Sequence, residues 1–74
     1  MAFSDHFKEK DKQLALNYLR TMHSELEQTR ALANAGELTT AEIHARHAVA
    51  MLEQLRTLNN AYQQETEKVR YPWF

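Results

Sequence analysis

The sequence predicts an all-α protein in which two long amphipathic helices form an antiparallel hairpin. Three observations lead to this fold class. The 74 residues include one glycine and one proline, the two residues that most disfavour a helix interior. Apolar residues recur at spacings of three and four on both sides of Gly36, and no segment shows the alternation of a half-buried strand. We expect a single domain, residues 1–74, with helices at about 5–35 and 39–70, a turn at 36–38 and an aromatic tail at 71–74.

The first helix is predicted to begin with Ser4 or Asp5 as its N-cap. Either side chain can accept a hydrogen bond from an unpaired N–H of the first turn. No glycine or proline interrupts the segment, and Gly36 follows at the position where a left-handed backbone commonly closes a helix. The apolar stripe of this helix runs through Ala15, Leu19, Met22, Leu26, Thr29 and Ala33.

The second helix has a clear predicted start. Thr39, with Glu42 three residues later, matches a capping box, in which two side chains satisfy two unpaired backbone N–H groups. Pro72 disfavours helical geometry in the residue before it, so this helix is expected to end near residue 70. Its stripe runs through Ala41, Ala45, Ala48, Leu52, Leu55, Asn59, Tyr62, Thr66 and Val69.

A loop of this length makes the helices antiparallel neighbours. Facing residues then have numbers that add up to roughly 75, so that Leu26 is expected near Val49 and Phe7 near Lys68. Alanines on both sides of the turn indicate a close approach of the two backbones there.

The apolar arc of the second helix is too broad for one neighbouring helix, since a single contact needs only a narrow seam. The chain has no cysteine for a disulfide, and a chain this short usually needs further support such as oligomerisation. We expect a two-fold homodimer that forms a four-helix bundle, or else a hairpin that folds onto a different protein. Asn59 either fixes the register of the seam or bonds to water at the open end. The candidates for the dimer core are Met51, Leu52, Leu55, Leu58 and Tyr62.

Charge and hydropathy limit the functional classes. Nine Lys and Arg against ten Asp and Glu give a net charge of −1, which argues against a general polyanion binder. The longest apolar run, from Ala48 to Leu52, is far too short to span a membrane, and the N-terminal residues show no secretory signal. The sequence therefore predicts a soluble cytoplasmic protein with no membrane contact.

No residue pattern indicates catalysis or a cofactor. The sequence offers no Ser-His-Asp set, Gly-rich phosphate loop or reactive cysteine. His44 and His47, three residues apart, are weak candidates for metal ligands, because neither Glu25, Glu27 nor Glu42 is expected to supply a third ligand. We interpret both histidines as residues at the edge of the apolar stripe, and we expect neither an enzyme nor a bound metal.

Five of the seven aromatic residues map to the open end of the hairpin, opposite the turn. They either form a plug that seals this end or provide a docking tail for a partner, because aromatic residues often anchor interfaces. These candidates for partner binding are Phe3, Phe7, Tyr71, Trp73 and Phe74.

The leading functional hypothesis is a small interaction protein, such as an adaptor, inhibitor or assembly factor, that presents a helical surface. The alternative is a hairpin dimer that binds RNA or DNA through arginines on the bundle faces, although acidic residues lie between them. A third hypothesis, a histidine-based metal-binding protein, depends on His44 and His47 alone. The arginines in question are Arg20, Arg30, Arg46 and Arg56.

Overall fold

The computed structural model describes residues 2–70, with side chains described up to residue 65. Two 3₁₀ turns, Phe3–His6 and Glu9–Asp11, precede two α-helices, α1 (Lys12–Asn34) and α2 (Leu38–Arg70). The helices pack against each other as a hairpin, and residues 2–70 contain no strand, so the all-α class is confirmed. Neither helix has an apolar stretch long enough to cross a membrane within these residues.

The turn after α1 is a Schellman motif, and Gly36 has the left-handed backbone that was predicted to close this helix. The N–H of Glu37 donates to the carbonyl of Leu32 at 2.9 Å, and the N–H of Gly36 donates to the carbonyl of Ala33 at 3.0 Å. Gly36 has a φ of 82°, in the left-handed region that glycine adopts without a steric penalty. The two bonds satisfy carbonyls that the end of α1 leaves unpaired.

This turn sets the register of the hairpin. In both of its hydrogen bonds the two residue numbers add up to 69, so the chain reverses around Ala35 rather than beyond Gly36. The same register continues along the helices, because Glu25 contacts His44. The two side-chain contacts that join the helices have sums of 69 and 72, for Glu25 with His44 and for Glu25 with His47, so the expected sum of roughly 75 is a few residues too large because it placed the reversal too late in the chain.

The predicted capping box at Thr39 does not form. The carbonyl of Glu37 accepts the hydrogen bond from the N–H of Ala41 at 2.9 Å, so Glu37 is the N-cap of α2 and Thr39 already lies in the first turn. The carboxylate of Glu42 instead accepts a hydrogen bond from Arg46 at 2.8 Å. The prediction was wrong because the Schellman turn leads directly into the second helix.

The first helix begins later than predicted, at Lys12 rather than near residue 5, so neither Ser4 nor Asp5 is its N-cap. The backbone of Phe7 is extended, with φ −134° and ψ 154°, and interrupts the helical path. This bend allows Phe7 to reach the core, where it is 5% exposed. Burying such a side chain contributes about 1.5–3 kcal/mol, which favours the bend although no glycine or proline predicts it.

Asn59 holds this bent segment onto α2. Its Nδ2 donates to the backbone carbonyl of His6 at 2.8 Å, and nearby the Nζ of Lys8 lies 3.2 Å from a carboxylate oxygen of Glu65. The polar residue in the stripe of α2 thus satisfies a carbonyl that the extended backbone leaves without a helical partner.

The core of the hairpin is small and lies toward the open end. Half of the buried residues are alanines, and the largest cluster joins Phe7, Ala15 and Leu55. The molecule is elongated, measuring 54 × 22 × 18 Å, and its radius of gyration of 16.0 Å exceeds the value of about 11 Å for a compact chain of this length. Among the described side chains, the buried hydrophobic residues are Phe7, Ala15, Met22, Ala41, Ala48 and Leu55.

Candidate functional site

One side of the hairpin, which we call the histidine face, brings together Glu25 of α1 and His44 and His47 of α2. Nδ1 of His44 donates a hydrogen bond to Oε2 of Glu25 at 2.5 Å, and Nδ1 of His47 lies 3.4 Å from the same oxygen. The two imidazole rings are 5.8 Å apart and nearly perpendicular. Glu25 and His44 are largely buried between the helices, whereas the side chain of His47 is 57% exposed.

The histidines change the acid–base behaviour of Glu25. The hydrogen bond from His44 lowers the pKa of the Glu25 carboxyl group below its ordinary value of 4.5, and His47 adds a smaller effect in the same direction. Partial desolvation raises this pKa but does not outweigh the hydrogen bond. Glu25 is therefore ionised at neutral pH and available as an acceptor.

The expectation that Glu25 is not placed as a third ligand beside the two histidines is wrong, because its carboxylate contacts both of them. On the predicted register Glu25 would face residue 50, whereas on the register set by the turn it faces His44. The i, i+3 spacing of the histidines was visible in the sequence. The carboxylate that joins them depended on the alignment of the two helices, which involves residues far apart in the chain. The chemistry of Glu25 gave no separate signal.

The opposite side of the hairpin, which we call the apolar face, carries Leu26, Val49 and Leu52. Successive residues of an α-helix are rotated by about 100° around its axis. On α1, Glu25 and Leu26 therefore lie on opposite sides of the seam, the line along which the two helices pack. On α2, His44 and Leu52 lie on either side of buried Ala48 for the same reason. Since Glu25 contacts His44, Leu26 and Leu52 share the other side of the seam, with Val49 beside them.

The apolar face is largely uncovered. Leu26, Val49 and Leu52 are 46%, 54% and 50% exposed. Leu26 of α1 and Val49 and Leu52 of α2 therefore leave large apolar side chains exposed on one side of the seam, with Leu26 closer to the turn, level with residue 43 on the register of the contact between Glu25 and His44. Apolar surface of this kind is usually covered in a soluble protein.

The five candidates for the dimer core occupy different positions in the hairpin. Leu55 is buried in the core of the single chain, and Leu58 packs against that core. Met51 and Tyr62 are half-buried, and Leu52 belongs to the apolar face.

The aromatic candidates at the open end are described in part. The rings of Phe3 and Phe7 are in contact, with their centroids 5.0 Å apart, and Phe3 packs against the core cluster. Tyr71, Trp73 and Phe74 lie outside the described residues, so the choice between a plug and a docking tail stays a prediction.

Two of the four arginines considered for nucleic-acid binding are paired with carboxylates on their own helices. Arg30 pairs with Glu27, and Arg46 pairs with Glu42. An arginine in such a pair contributes less to the positive potential that attracts phosphates.

Comparisons with known proteins provide no family for this chain. No family model matches it, and neither a curated protein nor a solved structure is significantly similar to it.

Proposed function

We propose that this protein is a small, non-enzymatic interaction module that acts as a homodimer, in which two hairpins join through their apolar faces into a four-helix bundle. The exposure of Leu26, Val49 and Leu52 on one side of the hairpin is the observation that carries this proposal. In a bundle these side chains lie between the two hairpins, where their apolar surface is removed from water.

The hairpin exposes more surface than a compact chain of the same mass, as expected for a chain that binds a partner. A compact monomer of the same mass exposes about 4,700 Å². The hairpin exposes 5681 Å², an excess of roughly 1,000 Å² over that value. This excess reflects the elongated shape of the hairpin, and a standard interface, which buries about 800 Å² on each partner, is of similar size.

A second copy of the chain is the partner that best fits this face. The net charge of −1 means that two copies meet with little overall repulsion. Two-fold pairing is also the commonest symmetry of soluble oligomers, and it lets the same apolar patch cover itself. Because the chain contains no cysteine, this dimer needs no oxidising compartment, and we place it in the cytoplasm.

Leu52→Glu tests this dimer, because it places a charge on the apolar face. Sedimentation equilibrium at micromolar concentration should give twice the chain mass for the wild type and the single-chain mass for the variant. The melting temperature of the wild type should also rise with protein concentration, whereas that of the variant should not.

Ile43→Glu is the matched control for this experiment. Ile43 is 49% exposed on the same helix, but it points away from both the seam and the apolar face. This variant should remain a dimer with unchanged helicity in circular dichroism. A wild-type protein that is monomeric and melts cooperatively would contradict the proposal, as would loss of the dimer in both variants.

A further inference from the structure

The histidine face has the features of a small metal site built by two helices. Three potential ligand atoms, from Glu25, His44 and His47, lie within 4.8 Å of one another. Two of the ligands come from one turn of α2, and the third comes from α1, where the turn at Gly36 aligns it with them. Metal sites in helical bundles are commonly built in this way, from side chains of facing helices.

The donor set fits a particular class of ion. Two imidazole nitrogens and one carboxylate oxygen, with a fourth position open to water, form the set that Zn²⁺ takes in three-ligand sites. Ligand atoms around a tetrahedral Zn²⁺ are about 3.3 Å apart, from bond lengths of about 2.0–2.1 Å. The distance of 3.4 Å between Nδ1 of His47 and Oε2 of Glu25 already matches this spacing.

The distance between the ligand atoms of His44 and Glu25 must increase when a metal ion binds. Nδ1 of His44 lies 2.5 Å from Oε2 of Glu25, at the distance of a hydrogen bond in which the imidazole N–H donates to the carboxylate. A metal ion would replace that proton, since a ligating imidazole nitrogen must be unprotonated, and the two atoms would then separate by somewhat less than 1 Å. Rotation of the two side chains is sufficient for this change.

We propose that Glu25, His44 and His47 bind one Zn²⁺ ion, or a divalent transition-metal ion of similar preference, and that the ion links α1 to α2. His47 is the exposed ligand and gives the ion access from solvent, whereas Glu25 and His44 are held between the helices. Because all three ligands are together only in the folded hairpin, binding stabilises the fold by mass action.

Titration of the full-length protein with ZnCl₂ at pH 7.5, followed by calorimetry and by the melting temperature, tests this site. We expect one ion per chain and a melting temperature that rises with the Zn²⁺ concentration. With Co²⁺ as a spectroscopic probe, visible absorption bands of a four-coordinate ion should appear at the same stoichiometry.

His47→Gln is the decisive variant, because this exposed side chain contributes little to packing. Its affinity for Zn²⁺ should fall by more than about tenfold, since even changes to the partners of metal ligands have effects of that size. Its melting temperature without metal should fall only slightly, because His47 makes the weaker of the two histidine contacts with Glu25. His44→Gln should also bind weakly, with the change in its metal-free melting temperature recorded separately.

His23→Gln is the matched control, since His23 is an exposed histidine of α1 outside the cluster. This variant should bind Zn²⁺ like the wild type. The site is also independent of the proposed dimer, because Leu52 lies on the opposite face, and Leu52→Glu should retain Zn²⁺ binding. Failure of the wild type to bind Zn²⁺, or equal losses in His23→Gln and His47→Gln, would overturn the proposal.

Discussion

The acid–base behaviour of Glu25 on α1 is set by two histidines of α2. On an isolated helix it would be one of several solvated carboxylates, but in the hairpin it accepts a hydrogen bond from His44 and lies close to His47. These contacts lower the pKa of its carboxyl group. The energy that keeps Glu25 ionised also contributes to the stability of the folded chain, by thermodynamic linkage.

The stability of the hairpin should therefore depend on Glu25 in acid. Because its folded pKa lies below its ordinary value of 4.5, the contribution of Glu25 is fully present above about pH 4.5 and is lost as the pH falls through the lower folded value. In Glu25→Gln, the melting temperature should fall less over this range than in the wild type. Melting curves between pH 3 and 6 measure the difference.

Glu53→Gln is the control for this prediction, because Glu53 is exposed and forms no ion pair among the described side chains. Its pH profile should follow that of the wild type. Identical profiles for all three proteins would show that the contact between Glu25 and His44 does not contribute to acid stability.

At the level of the elements, the Schellman turn determines how the two helices meet. Its two hydrogen bonds pair Leu32 with Glu37 and Ala33 with Gly36. The alignment that they set continues along both helices and places Glu25 opposite His44. The histidine face therefore depends on a glycine that touches none of its members.

Gly36→Ala should destabilise the hairpin by about 1–2 kcal/mol, because an L-residue pays a steric penalty in the left-handed region. A Cβ atom at this position meets nothing within 4 Å, so the effect comes from the backbone alone. Urea denaturation measures the loss. Thr39→Ala is the comparison and should change the free energy of unfolding by less than about 0.5 kcal/mol, since Thr39 is not the N-cap. A larger effect of Thr39→Ala than of Gly36→Ala would mean that the capping box forms.

At the level of the whole molecule, the hairpin is a rod with a small core at one end and two contrasting faces. Phe7 closes that core from the N-terminal segment, and the bond from Asn59 to His6 keeps the segment in place. Toward the turn, the buried positions of α2 are alanines, which allow close packing but bury little area. A rod of this kind gains stability by covering its apolar face.

Phe7→Ala should therefore lower the free energy of unfolding by about 3–5 kcal/mol, the range for removing a buried aromatic side chain. Phe3→Ala is the comparison, because Phe3 is only half-buried against the same cluster and should have a clearly smaller effect. Urea denaturation of both variants at one protein concentration provides the measurement. Equal effects would show that the bent segment does not anchor the core through Phe7.

The sequence by itself determined the features that arise from neighbouring residues. The two helices, the absence of a strand in residues 2–70 and the closure of α1 at Gly36 were all predictable, because helical hydrogen bonds and the left-handed glycine involve residues a few positions apart. Only the tertiary structure decided the bend at Phe7, the role of Asn59 and the place of Glu25 beside the histidines. The contacts responsible join residues 53 positions apart for Asn59 and His6 and 19 apart for Glu25 and His44. Such contacts depend on how the helices align and on which side chains gain from burial, and no local pattern specifies either.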